Sequence, residues 1–128
     1  MSYFFSKTLQ TSSFEEAVIK TKEALKKEEF GVIGEIDFQK TFKEKLGVDF
    51  RKYIVLQACS HADAYKSIIA EEKIGLLLPC NLLVQEKGDG IEICSINPDS
   101  MMQGLENEKM QEIATDVSQK LQQVINRL

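Results

Sequence analysis

Cys80-Asn81-Leu82-Leu83-Val84-Gln85-Glu86-Lys87-Gly88-Asp89-Gly90-Ile91-Glu92-Ile93-Cys94-Ser95-Ile96 decides the fold. Two runs rich in aliphatic and β-branched residues flank Lys87-Gly88-Asp89-Gly90, whose glycines offer the positive backbone angles of a tight connection. The stretch predicts a hairpin, which makes its two strands antiparallel. Just upstream, Lys52-Tyr53-Ile54-Val55-Leu56-Gln57-Ala58-Cys59 is aliphatic, aromatic and β-branched at both parities, the pattern of a central strand buried on most of both faces. Ser60 can cap a helix after it, with Ala64, Tyr65, Ile68 and Ile69 on the buried side.

Further out, Tyr3 to Gln10 places Tyr3, Phe5 and Leu9 at alternate positions and predicts a strand. Ser13-Phe14-Glu15-Glu16 reads as a capping box opening a helix to about Glu29, stopped by Gly31. Its apolar positions are Phe14, Ala17, Val18, Ala24 and Leu25, with Glu16–Lys20 and Glu23–Lys27 as i,i+4 pairs on the solvent side. Val32 to Asp37 predicts a second strand, and Asp37 caps a short helix carrying Phe38, Phe42 and Leu46, closed by Gly47. Asn97-Pro98 starts a helical turn that breaks near Gly104. From Asn107 a helical period runs through Met110, Ile113, Ala114, Val117, Leu121, Val124, Ile125 and Leu128.

The order β-α-β-α-β-α-β-β-α, with a hairpin and unevenly placed helices, lacks the strict alternation of a doubly wound parallel sheet. It predicts an α+β fold, a mostly antiparallel sheet with helices packed on one face. Apolar residues at both parities of the central strands argue against a solvated second face, so a homodimer is expected. The 128 residues, 43% hydrophobic, suffice for a single domain spanning 1–128.

With Lys+Arg 16 against Asp+Glu 20, the chain is mildly acidic, the wrong sign for a general nucleic-acid binder. The longest apolar stretches, such as Ile74 to Cys80, are far short of the roughly 20 residues of a membrane span. Residues Met1 to Lys7 lack the pattern of a secretory leader, so a soluble, cytoplasmic protein is expected. Three cysteines without a Cys-x-x-Cys pair point away from a disulfide framework and from a dedicated structural zinc site.

Chemistry concentrates at two thiols. Cys59 directly precedes a predicted helix start, whose partial positive charge should lower its pKa. His61, the single histidine, lies two residues on, and Cys80 follows Pro79; if a metal binds, Cys59, Cys80 and His61 are its candidate ligands. Unpaired cysteines more commonly serve as small core hydrophobes, and Cys94 is read so. Glu35 and Asp37 share one strand face, but Asp37 is spent as a helix cap and Glu35 has Lys40, Lys43 and Lys45 nearby. Gly31 and Gly34 fit no nucleotide-binding loop.

Four segments together resemble the domain of unknown function 302 family. They are Phe30-Gly31-Val32-Ile33-Gly34-Glu35-Ile36-Asp37, Lys45-Leu46-Gly47-Val48-Asp49-Phe50-Arg51, Ala58-Cys59, and Ile74-Gly75-Leu76-Leu77-Leu78-Pro79-Cys80-Asn81. The resemblance covers nearly the whole chain and is most specific in Leu78-Pro79-Cys80-Asn81. It implies a small bacterial or archaeal α+β domain, often dimeric, of no established activity. By the same resemblance Cys59 and Cys80 take the places of two recurrent cysteines, Asn81 of an asparagine and Glu35 of a strand acid. Ser60-His61 stands where the family has Asn-Pro, so His61 inherits no family role.

The functional expectation is a homodimeric small-ligand-binding or interaction protein, more a binder than an enzyme, with any cofactor unknown and none required by the sequence. Its candidate site is Cys59, Cys80, Asn81, Glu35 and His61. The alternative is a thiol-based redox, sulfur-handling or metal-responsive protein using Cys59 and Cys80.

Overall fold

The computed structural model describes residues 2–10 and 13–128. The elements are β1 (Phe4–Leu9), α1 (Phe14–Lys27), β2 (Gly31–Asp37), α2 (Phe38–Leu46), β3 (Tyr53–Cys59) and α3 (His61–Ala70). A 3-10 helix (Glu72–Leu77) leads to β4 (Cys80–Lys87), β5 (Gly90–Ile96), the short α4 (Pro98–Met101) and the long α5 (Glu108–Asn126). The five strands form one antiparallel sheet in the order β1-β5-β4-β3-β2. The fold is α+β, as the hairpin and element order predict.

Register sorts the strand residues into faces, because directly opposed residues project to the same side. Leu56 opposes Leu82, and Val84 opposes Ile93; all four are buried beneath the helices. α1 covers them with Phe14, Ala17, Val18, Ala24 and Leu25, and α5 with Met110, Ile113, Ala114, Val117, Leu121, Val124 and Ile125. Each is a position the helical period picks out. At such a site Leu56→Ala costs about 2–5 kcal/mol, transfer plus cavity.

The opposite face carries the row Ile36, Val55, Leu83, Cys94 and Ser6, each opposed to the next across the sheet. Tyr53 has this same parity and meets Phe38 of α2 edge to face at 5.7 Å, with Phe42 and Phe50 completing the aromatic cluster. β2 reaches its register through an irregularity between Val32 and Gly34.

Local signals hold at most ends. Ser13 Oγ accepts from the Glu16 amide at 3.1 Å, Asp37 from Lys40 at 3.0 Å and Asn107 from Met110 at 3.0 Å. Gly47 closes α2 at φ 67°. Lys7, the polar residue inside the β1 pattern, sends its ammonium to the Leu128 carbonyl. α1 pairs Lys22 with Glu35 and Glu15 with Lys52, both partners lying outside the helix.

Three details differ from expectation. Gly31 does not stop α1; it opens β2, and Glu29 takes the left-handed position at φ 65°. The Phe30 amide bonds to Leu25 O at 2.9 Å and Glu29 to Lys26 O at 3.0 Å, a Schellman closure made with glutamate where glycine is usual. In the hairpin, Gly88 alone has a positive φ (59°), as a II′-type turn requires at its first central residue. Gly90 matters for space: a Cβ there would lie 2.9 Å from Leu9 O.

The third difference is α3. Its buried residues are Asp63 and Ser67, whereas Tyr65 is 71% exposed and Ile69 68%, with Ile68 also exposed. The apolar stripe read as the buried side faces outward, because the inward positions border a cavity.

Candidate functional site

β3 ends at Cys59, Ser60 turns the chain, and α3 begins at His61. On the neighbouring strand, Leu78 and Pro79, joined by a cis peptide bond, lead into β4 at Cys80. Ala58 opposes Cys80 and Gln57 opposes Asn81, so the two segments singled out in the sequence are adjacent at one end of the sheet. Between them, the 3-10 helix, α4 and α5 lies a cavity of about 310 Å³. Cys59, Ser60, Cys80 and Asn81 all line it, and Met102, Met110, Ala114 and Val117 build its apolar wall.

Of the sequence candidates, Cys59, Cys80 and Asn81 therefore share one cavity. Glu35 lies elsewhere, opposite Leu56, paired with Lys22 Nζ at 3.4 Å rather than with Lys40, Lys43 or Lys45. His61 is exposed and outside the lining; its Nδ1 lies 3.8 Å from Cys59 Sγ. Among the described residues no three His, Cys, Asp or Glu side chains gather as a metal-binding group, so Cys59, Cys80 and His61 do not form one.

All three cysteines are free. Burial pushes the Cys59 thiol up from its ordinary pKa, the opposite of the lowering expected from its place before a helix. Loss of hydration is the cause, because it disfavours the charged thiolate. Burial also pushes Cys80 up to about 11, with the nearby Cys59 and Asp63 adding to the rise. Cys94, on the other sheet face beside Glu92, is raised to about 11 by burial and then by that carboxylate. At neutral pH the cavity thus holds neutral thiols, polarisable and weakly polar.

α3 adds two polar residues to Gln57, Ser60 and Asn81 in the cavity lining. Asp63 and Ser67 are one turn apart, and Ser67 Oγ donates to Asp63 O at 2.7 Å. The Asp63 carboxylate accepts from Lys120 Nζ of α5 at 2.7 Å, an ion pair that ties the two helices across the cavity wall. Ser60 occupies the cap position of α3, 7% exposed, but its hydroxyl makes no capping bond. In sequence Ser60 reads as a cap, while Asp63, Ser67 and Lys120 do not stand out. The i,i+4 spacing of Asp63 and Ser67 was a signal, masked by the stronger stripe of Tyr65, Ile68 and Ile69.

The cavity mouth is apolar. Leu76 is 85% exposed, and Leu77 and Met101 are also exposed while lining the cavity. Among the described residues no helix is long and apolar enough to cross a membrane.

No curated protein matches the chain. The crystal structure of the uncharacterized conserved protein DUF302 from Bacillus stearothermophilus superimposes with a TM-score of 0.91 at 24% identity, over 99% of this chain and 98% of that one. That likeness concerns the fold. The family model for the domain of unknown function DUF302 matches residues 5–128, and the chain belongs to that family.

Proposed function

We propose that the domain is a homodimeric binding protein whose cavity takes a small, largely apolar ligand. The carrying observation is the cavity itself: about 310 Å³, apolar on most of its wall, with a few polar groups among its lining. Ligand sites have this form, with volumes from about 300 Å³ upward. The test uses an environment-sensitive apolar dye. Fluorescence should rise saturably with the wild type, and Ala64→Phe, which fills the cavity from a half-buried position, should abolish the rise. Equal responses from both proteins would place the dye elsewhere and refute the reading.

The dimer draws on the sheet face opposite α1 and α5, where Ile36, Val55, Leu83 and Cys94 form a continuous, partly exposed row. Light scattering should give twice the 14.5 kDa chain mass, and Val55→Lys should halve it. A monomeric wild type would refute it. A thiol-based reading has in its favour that Cys59 and Cys80 share the cavity, but their raised pKa values work against a reactive thiolate.

A further inference from the structure

The start of α3 is built differently from the starts of α1, α2 and α5. In those helices Ser13, Asp37 and Asn107 each accept an amide hydrogen bond. At α3 the first intrahelical bond is Ala64 N to Ser60 O, 2.8 Å, and no side chain caps the amides before it. Ser60 has the right chemistry to cap but does not. Its hydroxyl makes no hydrogen bond, although the residue is only 7% exposed and lines the cavity. No side-chain oxygen among the described residues is sealed without a partner, so the Ser60 hydroxyl keeps its accessible surface toward the cavity it lines and can bond a ligand oxygen there.

From these features we infer that the cavity binds a carboxylate-bearing amphiphile, its head group held at the start of α3 by the Ser60 hydroxyl and the first-turn amides. This rests on the reading of the cavity as a ligand site and names the ligand class. An uncapped helix start carries a partial charge of about +0.5 and presents donors to an anion. Asp63, in the same turn, is the opposing charge, and Lys120 at 2.7 Å offsets it, so the field of the helix start is left in excess. The tail lies along Met102, Met110 and Ala114 and leaves past Leu76, Leu77 and Met101. That exit explains why three large apolar residues at the mouth are exposed. The cavity equals the volume of about ten waters at roughly 30 Å³ each, room for a head group with a medium-length chain.

The experiment is calorimetric titration of the full chain with octanoate and with 1-octanol, repeated on Ser60→Ala. Octanoate should saturate near one per chain, octanol should bind about tenfold or more weakly, and Ser60→Ala should weaken octanoate by about tenfold while leaving octanol unchanged. Ser60→Ala breaks no hydrogen bond, and the comparison of the two compounds on the wild type stands even without the variant. Equal binding of octanoate and octanol would overturn the head-group assignment and leave the cavity reading intact. If neither binds while the dye still responds to Ala64→Phe, the carboxylate-amphiphile inference falls alone. If the dye fails too, both fall.

Discussion

Cys80 makes the stability of this domain depend on pH between about 9 and about 11. Its thiol is raised from 9.0 to about 11, chiefly by burial. A raised thiol pKa means that the folded state holds its proton more tightly than the unfolded state. The stabilisation is therefore fully present below the unfolded pKa and is lost as pH rises from about 9 to about 11. Two pKa units correspond to about 2–3 kcal/mol. Cys59 and Cys94 are shifted in the same direction and steepen the alkaline loss.

Urea unfolding at intervals across that window, for the wild type and for Cys80→Ala, isolates the contribution. The variant loses a little packing at every pH, which moves its whole curve, while the groups common to both proteins contribute alike. What remains is the difference in slope. The wild type should lose about 2–3 kcal/mol more than Cys80→Ala between the two ends of the window. Parallel curves would refute the buried neutral thiol. So would rapid iodoacetamide labelling of Cys80 at neutral pH, where a pKa of about 11 leaves a thiolate fraction on the order of one in ten thousand.

Three further outcomes follow from the geometry. Glu29 sits at φ 65° where a Schellman closure prefers glycine, so Glu29→Gly should raise stability by about 1 kcal/mol; a lower urea midpoint would show that the site is unstrained. Asn97 donates to Ser2 O at 3.0 Å and accepts from Asp99 N and Ser118 Oγ, so Asn97→Ala should cost about 2–3 kcal/mol in thermal unfolding, and a loss under about 0.5 would refute its place as a junction. Gly90→Ala would set a Cβ 2.9 Å from Leu9 O and should destabilise by about 1–3 kcal/mol, with Gly88 unaffected; unchanged stability would mean that β1 shifts freely.

Most of the architecture was written in local chemistry. The hairpin around Gly88, the caps at Ser13, Asp37 and Asn107, and the stripes of α1 and α5 each act within a few residues, so sequence alone exposes them. The arrest of α1 was misplaced because Glu29 adopts a conformation that its residue type disfavours, held there by Leu25 and Phe30 packing in the core. The site was partly visible through Cys59, Cys80 and Asn81. Its acidity was not, because the pKa of Cys59 depends on burial in three dimensions, which raises it. Lys120 was hidden for a similar reason: its partner Asp63 is 57 residues away in the chain.

The reversal of α3 joins these observations. A ten-residue helix with Tyr65, Ile68 and Ile69 would bury them against a solid core and gain about 1.5–3 kcal/mol for each. It instead turns Asp63 and Ser67 inward and leaves Tyr65 and Ile69 mostly in solvent. Against a filled core that choice is costly on both sides, since polar groups lose water and apolar groups keep it. Against a cavity it is coherent, because Asp63 finds Lys120 and Ser67 finds the Asp63 carbonyl while Ser60 keeps its hydroxyl unspent. Local preference and final structure conflict most where a protein gives up packing for a site. In this fold the conflict falls on the helix that follows Cys59, and it marks the candidate site more sharply than the thiols do.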